Sequence, residues 1–306
     1  MHFFEVSYAF DVHSRRSIKT RNSTRMTTRF IGVAGLPRSG STLLCQLLGE
    51  HSQIHSEGHS SPLCSALLRL RHGISDDDFF LSQLDVDFDR GYAHLKSATR
   101  GFVRGWYHDC AKPLVIDKNR AWLRNFEYLL AVEPDAKLLV CVRELGQVYG
   151  SIEAQHQRTI LIDFPDHTAN HDRYNRADVL FAKDGVIGNP LRAIEAVQDL
   201  PVAIQQRIHL VIFERLMRDP LAAMAEVYKF IEAGPHRFDP KKLQVRAHES
   251  DSHYRHKYPH KQYASIEAPT QHAIPNRIQS EIEKTYAWYY DNFYPDWNRI
   301  AAPASR

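Results

Sequence analysis

Eight residues near the start of the chain have the composition of a phosphate-binding loop. From Gly35 to Thr42 the spacing is G-x-x-x-x-G-S-T, between a short apolar run and a second, helically periodic apolar run. The spacing matches the loop of nucleotide triphosphatases, except that Ser41 stands where those proteins have a lysine. Backbone N–H groups and the positive end of a helix dipole bind anions without that lysine. The pattern predicts an anion site and argues against transfer of a γ-phosphoryl group.

Side chains of the same loop supply further hydrogen-bond donors. Arg38 replaces the lost charge, because its planar guanidinium grips a phosphate with two hydrogen bonds. Gly40 permits a close approach of the backbone, and the hydroxyl side chains add donors. We predict that the anion is bound by Pro37, Arg38, Ser39, Gly40, Ser41 and Thr42. The alternative is an ordinary strand, turn and helix with chance glycines.

A second candidate site lies farther along the chain. Residues 137–142 are almost wholly apolar, which is typical of a strand buried on both faces of a parallel sheet. Arg143 ends that run, at the sheet edge where doubly wound folds bind ligands, and Ser151 follows about two turns into the next helix. The alternative is that Arg143 pairs with Glu144 or Glu153 at the surface.

Together these segments resemble the sulfotransferases that use 3′-phosphoadenosine 5′-phosphosulfate (PAPS). The likeness covers the loop Gly35–Leu44, the strand and helix from Leu138 to Ser151, and the strand and turn Leu210–Pro220. It is greatest to bacterial members and, more distantly, to the tyrosylprotein sulfotransferases. The resemblance implies that the loop binds the 5′-phosphosulfate, that Arg143 and Ser151 bind the 3′-phosphate, and that no metal is required.

The same resemblance assigns a role to Lys118. It lies just past an apolar run and aligns in order with a lysine that the tyrosylprotein enzymes place on the bridging oxygen, which implies charge stabilisation during transfer. Relatives often read Asn-Lys-Asp-Pro here, whereas this chain reads Asp-Lys-Asn-Arg, so the roles of Asp117 and Arg120 stay open. The alternative is a surface lysine after a strand.

Two residues are candidates for the catalytic base. The tyrosylprotein enzymes have a glutamate in this segment, but in ungapped register it falls on His59, with Glu57 two positions earlier. Imidazole has a favourable intrinsic pKa, whereas a glutamate needs help from its surroundings to act near neutrality. We place Glu57 ahead of His59 because residues 54–57 read as a strand that ends beside the loop.

A basic and aromatic segment, residues 246–260, has no clear periodicity. In the resembling enzymes a loop near the C terminus folds over the 3′-phosphate, which makes Arg255 and Lys257 candidates for donor binding. A solvated surface loop is the alternative. The aromatic residues between Tyr286 and Trp297 are predicted to pack in the core.

The alternation of apolar segments predicts an α/β protein, a P-loop-like three-layer fold with a central parallel sheet flanked by helices. Residues 30–300 are expected to form one sulfotransferase domain, preceded by a disordered basic leader over residues 1–29. Predicted strands lie near 30–34, 114–117, 137–142 and 208–213. Predicted helices lie near 42–50, 62–72, 121–132, 145–157, 191–199, 221–232 and 277–290. Pro220 and Asp219 mark one helix start, as first-turn proline and cap.

Composition narrows the class of function. The net charge of +3 gives no reason to expect a nucleic-acid partner, and no apolar run is long enough to cross a bilayer, so we expect a cytoplasmic enzyme. The four cysteines lack metal-ligand spacing and read as reduced packing residues.

The expected reaction moves a sulfuryl group from PAPS to a hydroxyl, or alternatively an amine, and releases adenosine 3′,5′-bisphosphate (PAP). The acceptor class stays open among small metabolites, saccharides, lipids and polyketide chains, as does the oligomeric state. An atypical P-loop nucleotide kinase and a noncatalytic nucleotide-binding module are the two alternative functions.

Overall fold

A five-stranded parallel sheet forms the centre of the protein. The computed structural model describes residues 28–163, 168–245, 249–250, 259–260 and 262–297. The strands of the sheet are β1 (Arg29–Gly35), β2 (Ile54–Ser60), β3 (Leu114–Lys118), β4 (Lys137–Val142) and β5 (Ile208–Ile212). Their order is β2-β3-β1-β4-β5, and every neighbouring pair is parallel. The predicted α/β fold with a central parallel sheet is confirmed.

Helices connect the strands because parallel neighbours need crossover connections. They are α1 (Ser41–Gly49), α2 (Leu63–Ser75), α3 (Asp78–Val86), α4 (Phe88–Trp106), α5 (Phe126–Val132), α6 (Leu145–Arg158), α7 (Arg173–Phe181), α8 (Gly188–Glu195), α9 (Val202–Gln205), α10 (Phe213–Arg218), α11 (Pro220–Phe230), α12 (Asn276–Thr285) and α13 (Ala287–Phe293). A 3₁₀ helix, Arg120–Asn125, precedes α5. Two short antiparallel strands, β6 (Glu249–Ser250) and β7 (Pro259–His260), lie outside the main sheet.

Each face of the sheet is covered by its own buried cluster. Alternate residues of β4 point to opposite faces: Leu138 and Val140 pack with α5 and α6, while Leu139 and Cys141 pack with α1 and α11. These strands are apolar on both sides because both faces are covered by helices. The arrangement gives the three layers that the sequence predicts.

The strand register brings the candidate site together at one edge. Gly35 lies beside Cys141, two residues before Arg143, and Val33 lies beside Lys118. Parallel strands end at the same edge, so the segments that follow β1, β3 and β4 converge there.

Most predicted elements are present, with several differences. The segment 121–132 begins as a 3₁₀ helix, and 277–290 is interrupted at Tyr286 to form two helices. Helices α3, α4, α7, α9 and α10 were not predicted. Of the residues in helix α4, only Gly91, Thr99 and Val103 are buried.

Several local predictions are confirmed. Asp219 accepts a hydrogen bond from the backbone N–H of Ala222 at 3.0 Å, with Pro220 in the first turn of α11. Tyr289 and Tyr290 are fully buried, as expected of core residues. All four cysteines lie in the described part of the chain, and none forms a disulfide.

Candidate functional site

The loop between β1 and α1 depends on two glycines with left-handed backbone. Gly35 has φ 130°, and a Cβ there would lie 2.1 Å from the carbonyl oxygen of Cys141. Gly40 has φ 85°, and a Cβ there would lie 2.5 Å from the ring of Phe213. Only glycine fits both positions without strain. The loop therefore closes tightly before α1 and leaves the first amides of that helix available to an anion.

Arg38 is the third residue of the loop with a positive φ, at 58°. Its Nε donates a hydrogen bond to the Ser151 hydroxyl at 3.1 Å, and its carbonyl oxygen accepts one from Arg143 at 3.0 Å. A left-handed backbone is unusual for a residue with a side chain, and such strain concentrates at functional sites. The two predicted donor-binding segments are thus joined by hydrogen bonds, although more than 100 residues separate them.

Arg143 is 7% exposed and holds its guanidinium against the ring of Phe213, 4.6 Å from the ring centre. Its Nε is buried and has no hydrogen-bond partner in the described part of the chain. Burial lowers the pKa of this guanidinium, and Glu214 opposes that shift. A buried donor without a partner is costly and points to a missing anion.

The alternative pairing of Arg143 with neighbouring glutamates is wrong. Glu144 caps α6 by accepting hydrogen bonds from Gly146 and Gln147. Glu153 instead binds Arg176 through two hydrogen bonds of 2.9 and 2.6 Å. Both carboxylates therefore bind other groups and not the Arg143 guanidinium.

A cleft of about 370 Å³ opens beside these groups. Arg38, Arg143 and a third guanidinium, Arg158 at the end of α6, all line it, and Glu267 is the acidic residue in the lining, so the charges around the cleft are net positive. Its lining residues are Arg38, Gly40, Ser41, Thr42, Leu43, Gln46, Arg143, Gln155, Arg158, Phe213, Met217, Tyr263, Ser265, Ile266, Glu267, Ala268, Pro269 and Thr270. The volume is in the range of small-ligand sites.

The segment 262–270 covers the cleft and is tied to the helix of the loop. The Gln46 side chain donates hydrogen bonds to the carbonyl oxygens of Gln244 and Tyr263, at 2.9 and 2.8 Å. The sequence did not predict this covering segment or the place of Arg158 in the cleft. The cover was expected in residues 246–260. The predicted residues Arg255 and Lys257 lie outside the described residues. Arg158 lies seven residues after Ser151, two helical turns, and that spacing was a readable signal.

The remaining loop residues divide into two groups. Pro37 and Ser39 are buried, and the Ser39 hydroxyl donates to the Leu36 carbonyl oxygen at 2.6 Å, which commits that hydroxyl to the turn. Ser41 and Thr42 are partly exposed and line the cleft. The side chains available to a ligand are therefore those at the start of α1.

Lys118 lies at the end of β3 and reaches the same helix start. Its Nζ donates a hydrogen bond to Thr42 Oγ1 at 3.1 Å, and the residue is only 5% exposed. The interpretation of Lys118 as a surface lysine is wrong.

Asp117 points to the other side of the strand, where it is fully buried. It accepts hydrogen bonds of 2.6 Å from the Tyr107 hydroxyl and from the Trp122 indole. Burial raises the pKa of this carboxyl, whereas these hydrogen bonds lower it. Asp117 therefore fixes the strand end that presents Lys118.

Glu57 and His59 lie on the edge strand β2 and contact each other. His59 Nε2 is 2.9 Å from Glu57 Oε2, and both side chains are nearly half exposed. His55 Nε2 is 3.7 Å from the same carboxylate. Neither Glu57 nor His59 lines the large cleft. The structure brings the two candidate bases to each other but leaves them outside that cleft.

Within the described residues, no three His, Cys, Asp or Glu side chains are grouped so as to hold a metal ion. None of the helices described is both long and apolar enough to cross a bilayer.

At the level of sequence, protein-tyrosine sulfotransferase A of Caenorhabditis elegans is 22% identical over 223 residues, covering 72% of this chain. The chain spans only 54% of the length of that relative.

Solved structures of bacterial sulfotransferases are also similar. A sulfotransferase from Alicyclobacillus acidocaldarius matches 89% of this chain and 96% of its own, with 13% identity and a TM-score of 0.48. The sulfotransferase domain from the curacin biosynthetic pathway matches 86% of this chain and 99% of its own, with 16% identity and a TM-score of 0.47. The profile of the sulfotransferase family matches residues 31–234, about two thirds of the chain. The chain belongs to the sulfotransferase family.

Proposed function

We propose that this protein transfers a sulfuryl group from PAPS to an acceptor hydroxyl and releases PAP. This proposal depends on the side chain of Arg143. Its Nε is buried and has no hydrogen-bond partner among the described residues, while Nη1 of the same guanidinium donates to the Arg38 carbonyl oxygen in the loop before α1. Together with Arg38 and Arg158 it forms a cationic cleft on one side of that loop. A donor with phosphates at both its 3′ and 5′ positions supplies two anions to such a site.

The residues fit this donor in two groups. The amides at the start of α1, with Arg38, Ser41 and Thr42, would hold the 5′-phosphosulfate. Arg143 and Ser151 would hold the 3′-phosphate, and Arg158 adds charge at the same cleft. Ser39 would contribute through its backbone only, because its hydroxyl is bonded to Leu36. Arg255 and Lys257 stay candidates for the same phosphate.

Lys118 would stabilise the charge that develops on the leaving phosphate. Its Nζ already contacts the Thr42 hydroxyl at the phosphate-loop helix, so it needs no large movement to reach a group bound there. A preorganised cation near a developing charge is among the strongest sources of catalysis. Desolvation of Lys118, which is 5% exposed, strengthens the interaction further.

Glu57 would accept the proton of the acceptor hydroxyl, with His59 as its partner or replacement. The 2.9 Å contact between them allows a proton to be shared along the pair. Their exposure on an edge strand suits a role in which the acceptor covers them on binding. A cytoplasmic location is part of the same proposal.

The proposal is tested by calorimetric titration with PAP in the absence of magnesium. We expect native protein to bind PAP, and Arg38→Ala and Arg143→Ala each to raise its dissociation constant by about 10- to 100-fold, the usual range for a lost hydrogen bond between charged groups. Arg192→Ala, on the exposed side of α8, is a matched control that should bind PAP like native protein. Absence of PAP binding to folded native protein would refute the proposal.

A screen of hydroxyl acceptors with radiolabelled PAPS then separates the alternatives. Sulfate transfer to any acceptor supports the enzyme, whereas PAP binding without transfer across a broad panel favours a noncatalytic binding module. Magnesium-dependent ATP binding with phosphate transfer would instead favour a kinase.

A further inference from the structure

A second, smaller pocket lies on the other side of the phosphate loop. Its volume is about 120 Å³, and it is lined by Val33, Ala34, Ser41, Ser60, Lys118, Asn119 and Arg120. Ser41 also lines the large cleft, so the two cavities meet at the first residue of α1. Lys118 lines only the smaller one. The pocket is therefore next to the position where the transferred group would lie.

The pocket contains two cations and none of its lining residues is acidic. Asp117 comes directly before Lys118 on β3. Its side chain is fully buried on the opposite face of the strand and accepts hydrogen bonds from Tyr107 and Trp122. Glu57, on the neighbouring strand, is paired with His59. These two carboxylates thus do not line the pocket, and its potential is positive.

Arg120 is the cation whose role is still open. Its side chain is exposed, and no ion pair or hydrogen bond joins that side chain to another described residue. Asn119, beside it, is already bonded: its side chain accepts from the Ala121 N–H at 3.0 Å and donates to the Ser61 carbonyl oxygen at 2.8 Å. These bonds fix the backbone from which Arg120 projects. An arginine held at a pocket wall in this way suits two-point binding of a planar or tetrahedral anion.

We propose that this pocket selects acceptors that have an anionic group, a carboxylate or a phosphate, beside the hydroxyl that is sulfated, and that Arg120 binds that anion. The inference rests on the proposed function, since it gives the two cations of this pocket different roles: Lys118 stabilises charge on the leaving phosphate during transfer, and Arg120 binds the acceptor. A volume of about 120 Å³ corresponds to roughly four water molecules at their liquid volume. That is room for one small anionic group and its hydroxyl-bearing carbon, while the rest of the acceptor would lie outside.

The test uses three small hydroxyl compounds that differ in one group: glycolate, 2-hydroxyethyl phosphate and neutral ethylene glycol. Each is titrated by NMR into native protein saturated with PAP, so that the donor site is filled. We expect at least one of the two anions to bind about tenfold more tightly than ethylene glycol, the lower end for a hydrogen bond between charged groups because Arg120 is exposed. The better of the two anions distinguishes a carboxylate from a phosphate acceptor.

Substitutions then assign the effect to Arg120. Arg120→Gln should remove the preference for the anion, and Arg120→Lys should restore part of it, because lysine keeps the charge but loses the planar fork. Arg124→Gln is the matched control, since Arg124 is exposed on the same 3₁₀ helix and does not line the pocket. PAP affinity should be the same in all of these proteins.

Three results would overturn the proposal: no anion preference in native protein, an equal preference in Arg120→Gln, or an equal loss in Arg124→Gln. Weaker PAPS binding in Arg120→Gln, with an unchanged anion preference, would assign Arg120 to the donor instead. If native protein does not bind PAP, the proposed function fails by itself. The same titrations without PAP then still decide whether Arg120 binds anions.

Discussion

The two sides of the phosphate loop differ in how firmly their charged groups are held. On the donor side of the proposed site, Arg38, Arg143 and Ser151 are linked by hydrogen bonds, and Arg143 is buried against an aromatic ring. On its acceptor side, Lys118 is buried, but Glu57 and His59 are nearly half exposed and bonded mainly to each other. The donor side is preorganised before any ligand binds, whereas much of the acceptor side is open to water.

Strand position explains this difference. The donor side follows β1 and β4, which have a neighbouring strand on each side, whereas β2 is an edge strand. The pairing of β2 with β3 is also irregular between Ser56 and Ser60, around the two candidate bases. Edge strands and bulges redirect side chains at low cost to the sheet. Under the proposed function, the central strands hold the donor and the edge strand faces the acceptor.

The largest effect is expected from Lys118, which belongs to the firmly held part of the acceptor side. Lys118→Ala should lower the rate of sulfate transfer about 100- to 1000-fold, the usual loss for one preorganised group that stabilises developing charge. The PAP dissociation constant should change by less than about threefold, because the interaction is made mainly in the transition state. Single-turnover transfer from labelled PAPS measures the first quantity and calorimetry the second.

Lys183→Ala is the control for that variant, since Lys183 is an exposed lysine that does not line either cavity. It should have native rates and native PAP affinity. A native transfer rate in Lys118→Ala would refute the role assigned to this lysine. Glu57 and His59 would then be the remaining catalytic candidates on the acceptor side.

A somewhat smaller effect is expected at the exposed pair. Glu57→Gln should slow transfer about 100-fold if Glu57 is the base, because positioned bases contribute this much, and His59→Gln should slow it less. The double variant should lose less than the product of the single effects, since the two side chains are in contact. Rates are measured at saturating donor and acceptor.

A larger loss in His59→Gln than in Glu57→Gln would make the histidine the base. Native rates in both single variants would exclude the pair altogether. The base would then have to be sought elsewhere, and the acceptor side would be even less preorganised than described above.

The smallest effect is a pH dependence on the donor side, at His272. Burial lowers the pKa of this imidazole, and Arg143, Arg38 and Arg158 lower it further. The unfolded chain therefore binds a proton below about pH 6.5 that the folded protein does not. His272 should thus contribute stability that is present above that pH and is lost as the pH falls toward the folded-state pKa.

Urea unfolding of native protein and His272→Gln between pH 5 and 8 measures this contribution as a difference. Saturating PAP should shrink the difference, because phosphates near the three arginines raise the pKa of the imidazole again. A difference that is independent of pH, or that PAP does not change, would contradict the assignment of the phosphates to this cleft.

The sequence was informative wherever a function depends on consecutive residues. The loop from Gly35 to Thr42 was recognisable because a tight turn before a helix requires glycine at fixed positions, and the observed φ of 130° at Gly35 and 85° at Gly40 bears this out. Arg143 was a candidate because an apolar strand ends there, at the edge where such folds bind ligands. In both cases the physical cause is local. Ser151 was a candidate through the family resemblance.

The sequence was less informative about the covering segment and the peripheral helices. Residues 262–270 have no periodicity, and they are held by hydrogen bonds such as those from Gln46, whose partners lie about 200 residues away. Helix α3 has no buried residue, so no apolar stripe facing a core marks it in the sequence. Helix α4 buries only Gly91, Thr99 and Val103, and its position depends on contacts with other helices.

By itself the sequence determined the glycine-bounded loop before α1, the parallel α/β class and the order of the candidate anion-binding segments, because glycine geometry and buried strands leave signatures in short stretches. Only the tertiary structure decided which charges meet. Lys118 contacts Thr42, 76 residues away, and Asp117 points inward while Arg120 lines a pocket. Such contacts depend on strand order and register. Both arise from packing of the whole sheet and cannot be predicted from any single segment of the sequence.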